Sequence, residues 1–169
     1  LGYIGLPTAI VAADNGVEVV GVDVNPHIVE TINKGKIHIV EPGLADLAAK
    51  VVKNGWLRAQ TQPEVSDVFL IVVPTPFTGD HEPDISYVEA ATRNVLPFLK
   101  EGDLYIIEST SPVGTTEQMA ELIFSERPEL KDKIYIAYCP ERVLPGNIIH
   151  ELVNNDRVIG GLNPESTDK

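Results

Sequence analysis

The sequence has few of the features typical of secreted, membrane-spanning or nucleic-acid-binding proteins. It contains one cysteine, so an intrachain disulfide is excluded and a reducing compartment, the cytoplasm, is favoured. The longest clear apolar run, residues 68–73, is far shorter than the roughly 18 residues of a membrane span, and we expect no membrane association. A net charge of −12 would repel phosphate backbones, so we also expect no nucleic-acid partner.

Patterns for metal ligation and for P-loop phosphate binding are also missing. The histidines His27, His38, His81 and His150 have no ligand spacing with Cys139 or with one another, and we expect no metal. The motif G-x-x-x-x-G-K-[ST] is absent, which disfavours a P-loop kinase or ATPase.

What is present is enough apolar sequence for a packed core. Hydrophobic residues make up 43% of the 169 residues, which predicts one folded domain over residues 1–169. We expect this domain to be truncated at both ends, because the glycine motif at its start is incomplete and its last residues are polar.

The most informative feature is that incomplete glycine motif. Gly2, Tyr3, Ile4 and Gly5 read as the later part of G-x-G-x-x-G, without the first glycine and the strand before it. This turn opens a helix on the pyrophosphate of a dinucleotide, so the four residues are candidate cofactor ligands. The alternative is an ordinary tight turn between a strand and a helix.

Asp23 provides the second half of a dinucleotide site. It follows the apolar stretch 17–22, about twenty residues beyond the glycines, where a Rossmann fold binds the ribose hydroxyls of NAD. Its negative charge disfavours the 2′-phosphate of NADP, and no arginine lies nearby in sequence to offset it. The alternative is a turn aspartate without a ligand.

Strand and helix patterns alternate along the chain. We predict strands at 17–22, 67–73, 104–107, 134–138 and 157–159. Asn25, Asp84 and Thr115 are predicted helix caps, and Leu44 begins the apolar face of a further helix. This order predicts an α/β fold with a doubly wound, mostly parallel Rossmann sheet and helices on both faces, its first strand truncated.

Polar residues follow several predicted strands, at the edge where parallel sheets bind ligands. Thr75, between two prolines, is a candidate hydrogen-bond donor to a cofactor ribose. Ser109 and Thr110 are candidates to hold the nicotinamide ribose or a catalytic water. We expect these loops to converge on one crevice; the alternatives are a stiff turn at 74–76 and simple helix caps at 109–110.

Glu141 and Arg142 lie in a loop rich in proline and glycine. A carboxylate there is suited to act as a base or to order a water. A guanidinium there is suited to bind a substrate phosphate or carboxylate through two hydrogen bonds. The alternative is a surface ion pair. Cys139 is interpreted as a packing residue.

Taken together, the motifs resemble one enzyme family over essentially the whole chain. The segments are Gly-Tyr-Ile-Gly-Leu-Pro at 2–7, Val-Asp-Val-Asn at 22–25, Val-Pro-Thr-Pro at 73–76, Glu-Ser-Thr-Ser-Pro-Val-Gly-Thr at 108–115 and Pro-Glu-Arg at 140–142. In this order they are similar to the UDP-glucose/GDP-mannose dehydrogenase family.

The resemblance implies oxidation of a nucleotide sugar. The C6 alcohol of a UDP-amino-sugar substrate would become a carboxylate, with two NAD⁺ reduced and one water consumed. Segments 37–42, 81–84 and 137–146 favour UDP-N-acetyl-D-mannosamine within the family, with UDP-N-acetylglucosamine and UDP-glucose as alternatives. Two other readings stay open: a different β-hydroxyacid or sugar-phosphate dehydrogenase, and a regulatory nucleotide-binding module without catalysis.

The resemblance also implies a role for individual residues. Backbone amides of Tyr3 and Ile4 would bind the pyrophosphate, Asp23 the adenosine ribose, and Thr75 and Thr110 the cofactor. Thr110 and Glu141 would be catalytic residues acting on the hydrolytic water. The substrate-binding residues would be Glu141, Arg142 and Val143.

The resemblance further implies that important parts lie elsewhere. The family's catalytic cysteine and lysine, its central helix and its UDP-sugar-binding C-terminal domain are not in this sequence. We therefore expect this piece alone to be inactive, and the full-length protein to form a homodimer or a higher homo-oligomer.

Overall fold

The computed structural model describes residues 1–79 and 81–169 and has an α/β architecture. The helices are α1 Gly5–Asp14, α2 Pro26–Asn33, α3 Leu44–Lys53, α4 Ser86–Val95, α5 Thr115–Glu126, α6 Ile148–Asn154 and α7 Pro164–Asp168. The strands are β1 Val19–Val22, β2 Leu57–Gln60, β3 Val68–Ile71, β4 Phe77–Thr78, β5 Glu82–Pro83, β6 Leu104–Ile107, β7 Tyr135–Tyr138 and β8 Gly160–Gly161.

The chain divides into two compact units. The first unit comprises residues 1–63 and 142–156, and the second comprises 64–141 and 157–169. Each unit has its own buried core, so each is described by itself.

In the first unit, β1 and β2 form a parallel pair. Helix α1 packs on β1 and α3, while α2 packs on β2. Small residues Ala9 and Ala13 lie buried in α1 beside Leu6 and Ile10, which allows α1 a close approach to its neighbours. Burial of these apolar side chains is the main favourable contribution to the stability of this unit.

The start of α2 follows the prediction. Asn25 is its N-cap, and the side-chain oxygen accepts a hydrogen bond of 3.0 Å from the backbone N–H of His27. Pro26 occupies the first helical position, where its missing N–H has no partner to lose. Gly35 follows the helix with a φ of +68°, a conformation that favours glycine.

The second unit contains a four-stranded sheet in the order β3-β6-β7-β8. Strands β3, β6 and β7 run parallel, and β8 is an antiparallel edge strand. A separate two-stranded hairpin is formed by β4 and β5. Tyr105 of β6 and Ile123 of α5 are fully buried in the core of this unit.

The predicted fold class is confirmed: the structure is α/β, and its strand pairs are mostly parallel. The strand predicted at 157–159 is wrong, because the strand lies at Gly160–Gly161. The Arg157 side chain contacts Glu108, and Gly161 lies so close to α7 that a Cβ there would clash with the backbone nitrogen of Thr167.

Two of the three predicted helix caps differ from the N-caps that the structure shows. Asp84 is not the N-cap of α4, because Ile85 holds that position, although the Asp84 carboxylate accepts a hydrogen bond from the backbone N–H of Ser86. Thr115 is the first residue of α5 and not its cap, because Gly114 in the left-handed conformation holds the N-cap position. The elements without a sequence prediction are β2, the hairpin β4–β5, α6 and α7.

Candidate functional site

The glycine segment leads directly into helix α1, as the sequence predicts. Ile4 is the N-cap of α1 and makes no side-chain capping hydrogen bond, and the first turn carries no acidic residue. The amides of a first helical turn have no intrahelical partners, and the helix dipole places positive charge there. A Cβ built on Gly2 would meet no atom within 4 Å. This end of α1 is therefore open and suited to an anion.

Asp23 lies beside the glycine segment. It follows the last residue of β1, and its Oδ2 accepts a hydrogen bond of 2.8 Å from the amino group of Leu1. Its Oδ1 accepts a second bond of 2.9 Å from the backbone N–H of Asn25. Partial burial raises the pKa of Asp23, and the hydrogen bond from the Asn25 amide lowers it. The carboxylate is ionised and ready to accept hydroxyl hydrogen bonds.

Two further cofactor candidates lie in the second unit. Thr75 is half-buried in the irregular segment after β3, and Thr110 is exposed after β6. Ser109 precedes Thr110. Its hydroxyl donates a hydrogen bond of 2.9 Å to the carbonyl of Val73 and accepts one of 2.8 Å from the backbone N–H of Val73. Ser109 thus links the ends of β3 and β6, whereas Thr110 remains accessible to a ligand.

Glu141 belongs to a buried charged cluster that the sequence did not reveal. Arg157 donates from Nη1 to Oε1 of Glu108 at 2.8 Å and from Nη2 to Oε2 of Glu141 at 3.4 Å. The Glu108 side chain is 2% exposed and that of Glu141 is 8% exposed. Cys139, also buried, has its sulfur 3.8 Å from Nη1 of Arg157.

Burial dominates the electrostatics of Glu108. Burial raises the pKa of this carboxyl, and the hydrogen bond from Arg157 lowers it. The charge of Glu141 raises it further, and the pKa of Glu108 is about 7. The pKa of Arg157 is lowered by burial but raised more strongly by Glu108 and its other partners, so it lies above its ordinary value. One guanidinium is shared between two carboxylates. The feature of the sequence that points to this cluster is Glu108, which directly follows the apolar strand 104–107.

The other two predicted substrate residues belong to the first unit. Arg142 donates from Nη1 to the carbonyl of Asp156 at 3.3 Å, and its own carbonyl accepts from the Asn155 side chain at 3.0 Å. Arg142 is exposed and Val143 is half-buried. The first bond ties the guanidinium to the Asp156 carbonyl, and the second holds the Arg142 backbone. Convergence of all the predicted loops on one crevice stays a prediction.

Glu41 holds the segment that follows Val143. Its side chain accepts hydrogen bonds of 2.8 Å from the backbone N–H of Gly146 and from that of Ile148, one on each carboxylate oxygen. Glu41 is 6% exposed, and Ile148 begins α6. The acid thus caps a helix more than a hundred positions away. In the sequence, Glu41 is marked only by its place in the family-like segment 37–42.

Residues 1–79 and 81–169 provide neither a metal-binding cluster nor a membrane-spanning helix. No group of three or more histidine, cysteine, aspartate or glutamate residues there is arranged to hold a metal ion. No helix in those residues is long and apolar enough to cross a membrane.

Comparison with known proteins decides the family. The profile described as "UDP-glucose/GDP-mannose dehydrogenase family, NAD binding domain" matches residues 1–169. This chain belongs to the UDP-glucose/GDP-mannose dehydrogenase family. The resemblance inferred from the motifs is confirmed, and NAD is the cofactor of the matched domain.

Relatives within the UDP-glucose/GDP-mannose dehydrogenase family are close. The chain is 56% identical over 172 residues to a UDP-N-acetyl-D-mannosamine dehydrogenase of Escherichia coli K12, covering 97% of this chain and 41% of that protein. It is 54% identical over 176 residues to an NDP-N-acetyl-D-galactosaminuronic acid dehydrogenase of Ralstonia nicotianae. That match covers 99% of this chain and 42% of that protein.

A solved structure of the same family has the same fold. The native UDP-N-acetyl-mannosamine dehydrogenase Cap5O from Staphylococcus aureus matches with a TM-score of 0.94 and 44% identity, covering 98% of this chain and 41% of that one. The chain therefore spans about two fifths of the length of these relatives.

The residues present fit the adenosine diphosphate part of NAD. The open, uncapped start of α1 offers backbone N–H groups to a pyrophosphate, and the ionised Asp23 lies next to the segment that carries them. Both features belong to the first unit. The distance along the sequence between Gly5 and Asp23 predicts that the glycine segment and the carboxylate lie side by side.

Proposed function

We propose that this chain is the NAD-binding part of a nucleotide-sugar 6-dehydrogenase. Its substrate would be UDP-N-acetyl-D-mannosamine, oxidised at C6 from alcohol to carboxylate. In balance, one alcohol, two NAD⁺ and one water give one carboxylate, two NADH and three protons. The observation that carries the proposal is the open start of α1 beside Asp23, in a chain of this family.

The cofactor residues follow from this geometry. The N–H groups of Tyr3 and Ile4 would bind the pyrophosphate, with Gly2 and Gly5 keeping the turn free of side chains. Asp23 would accept hydrogen bonds from the adenosine ribose. Bound NAD⁺ supplies the hydride acceptor for both oxidation steps.

Residues of the second unit would act on the water and the cofactor. Thr75 and Thr110 would line the cofactor, and the exposed Thr110 hydroxyl would hold the hydrolytic water. Glu141, which accepts a hydrogen bond from the guanidinium of Arg157, would accept a proton from that water. Both groups orient and activate the water, while the chemistry of the bound sugar needs residues that this chain does not contain.

Arg142 and Val143 are proposed to contact the nucleotide sugar. Arg142 is exposed, its guanidinium donates to the Asp156 carbonyl, and its own carbonyl is held by the Asn155 side chain. A guanidinium suits a phosphate or carboxylate partner. The catalytic cysteine and lysine would come from a central helix and C-terminal domain outside residues 1–169. The full-length protein would act in the cytoplasm as a homodimer or higher homo-oligomer.

A second substrate is favoured by one specific finding. The relative from Ralstonia nicotianae, at 54% identity, is an NDP-N-acetyl-D-galactosaminuronic acid dehydrogenase. An N-acetylgalactosamine nucleotide is therefore the second candidate, ahead of UDP-N-acetylglucosamine and UDP-glucose.

The test is the NADH yield per sugar, measured on the full-length polypeptide with each of these four nucleotide sugars. We expect about two NADH per UDP-N-acetyl-D-mannosamine consumed, and much slower turnover of the other three. A yield near one would contradict the double oxidation. NAD binding without NADH formation from any of the four sugars would instead indicate a non-catalytic nucleotide-binding module.

A further inference from the structure

The pair Asn-Gly occurs twice in the sequence, at residues 15–16 and 54–55, each time at the end of a helix. Asn15 is the C-cap of α1, and Asn54 is the C-cap of α3. Asparagine before glycine is prone to deamidation, because glycine has no side chain to hinder attack of its backbone nitrogen on the asparagine side chain. In both pairs the two residues are exposed, and the glycine has a positive φ. The two sites can therefore be compared within one chain.

The attacking backbone nitrogen is held almost equally at the two sites. The N–H of Gly16 donates to the Ala13 carbonyl at 3.1 Å, and the N–H of Gly55 donates to the Val52 carbonyl at 3.0 Å. Each of these bonds must open before the nitrogen can reach the asparagine side chain. The backbone alone therefore predicts similar reaction rates at the two sites.

The asparagine side chains differ between the two sites. Nδ2 of Asn15 donates a hydrogen bond of 2.9 Å to the Val11 carbonyl, which ties the side-chain amide to its own helix. The Asn54 side chain makes no hydrogen bond within residues 1–79 and 81–169. The amide of Asn15 must break a bond before it reacts, whereas that of Asn54 can turn toward the nitrogen of Gly55 without this cost.

We propose that Asn54 is a site of deamidation in the folded protein and that Asn15 is protected. The backbone nitrogen of Gly55 bonds to Cγ of Asn54, and the Cγ–Nδ2 bond breaks. The proton of the Gly55 amide leaves with the side-chain nitrogen as ammonia, and a cyclic imide remains. Solvent water opens the imide at either carbonyl, which gives aspartate or isoaspartate without an oxidant or a reductant.

Either product changes the turn between α3 and β2. The new carboxylate lies at the C-terminal end of α3, where the helix dipole disfavours negative charge. Isoaspartate also lengthens the main chain just before Trp56, whose carbonyl accepts a hydrogen bond of 2.8 Å from the N–H of Val19 at the start of the β1–β2 pair. We therefore expect the modified protein to unfold at a lower urea concentration than the unmodified protein.

The test is incubation of the full-length polypeptide at mildly alkaline pH, both folded and in urea, with deamidation at each site followed by peptide mass spectrometry. The unfolded chain measures the effect of sequence alone, including the opposite charges of Asp14 and Lys53 beside the two asparagines. The ratio of the unfolded rate to the folded rate gives the protection of each site. We expect folding to protect Asn15 severalfold more than Asn54. Equal protection, greater protection of Asn54, or no product at Asn54 in the folded protein would overturn the proposal.

A methyltransferase specific for isoaspartate identifies the product in peptides from the aged, folded protein. Labelled S-adenosylmethionine should mark the peptide that contains residue 54, and this label should be lost in N54Q, because a glutamine side chain closes such a ring much more slowly. N15Q should retain the label at residue 54. Label at residue 15 but not at residue 54 would overturn the assignment. Urea unfolding of aged wild type and aged N54Q tests the effect on the turn, and equal stability would contradict that effect.

Discussion

The carboxylate of Glu41 caps the amide of Ile148, at a separation of 107 positions and a distance of 2.8 Å. With the second bond to Gly146, it fixes the segment between Val143 and helix α6. Charge-assisted hydrogen bonds to backbone amides are about twice as strong as neutral ones. Glu41 therefore holds a loop that carries the proposed substrate residues.

Replacing Glu41 by alanine should destabilise the protein by roughly 2–4 kcal/mol, because two amides lose a charged acceptor and that of Ile148 is buried. Urea unfolding measures this change. E30Q is the control, since Glu30 lies in an exposed ion pair with Lys34. Equal stability of E41A and E30Q would show that the two bonds add nothing.

A second substitution at Glu41, by glutamine, should affect substrate binding more than cofactor binding. In full-length E41Q, the KM for the nucleotide sugar should rise severalfold, because Arg142 and Val143 lie in the segment that Glu41 anchors. The KM for NAD should change little. A parallel rise in both constants would argue against a specific effect on the sugar-binding loop.

A buried hydroxyl pair in the second unit gives a stability prediction. The hydroxyls of Thr92 and Tyr105 lie 2.6 Å apart, and both residues are fully buried. T92V should destabilise the protein by about 1–3 kcal/mol, because it leaves the Tyr105 hydroxyl buried without this partner. T92S keeps the hydroxyl and should cost less. If thermal unfolding gives the same loss for both, the hydrogen bond is not the cause.

Two glycines separate the effect of backbone conformation from that of close packing. Gly35 and Gly55 have φ values of +68° and +79°, so alanine is strained at either position by about 1–2 kcal/mol. Only at Gly35 would the new Cβ lie 3.2 Å from the Ala49 Cα. G35A should therefore unfold at lower urea concentration than G55A. The reverse order would be inconsistent with the packing of α2 against α3.

The raised pKa of Glu108 makes stability depend on pH. Its ordinary value is 4.5 and its value in the folded protein is about 7, so the folded state binds the proton more tightly. The stabilising contribution of the protonated form is fully present below pH 4.5 and is lost as the pH rises through 7. Wild type should therefore lose stability relative to E108Q between pH 5 and pH 7.5, measured by urea unfolding. Parallel curves would show that Glu108 titrates normally.

Local chemistry explains what the sequence could predict. Asn25-Pro26 marks a helix start by fixed rules, and the apolar run at 104–107 gives β6 with the observed bounds. The spacing between Gly5 and Asp23 is a property of one strand–helix–strand unit, so the carboxylate was placed beside the glycine segment without a structure.

The site features that the sequence does not predict are contacts between residues far apart along the chain. Glu41 and Ile148, or Glu108 and Arg157, are brought together only by folding, and no short-range pattern marks them. Arg157 was assigned to a strand because two β-branched residues follow it, whereas its backbone is irregular and its side chain pairs with Glu108. Strand β2, Leu57–Gln60, was missed because two of its four residues are polar.

We propose that the start of α1 and Asp23 together bind NAD. Calorimetric titration of NAD into wild type, D23A and D14A tests it most directly, since Asp14 is an acid at the far end of the same helix, paired with Lys50. Loss of charge-assisted bonds to a ribose should weaken NAD binding to D23A by roughly 1–3 kcal/mol, about five- to 150-fold, with D14A like the wild type. NADP should bind the wild type more weakly than NAD. Equal affinity of D23A and wild type for NAD would contradict the account.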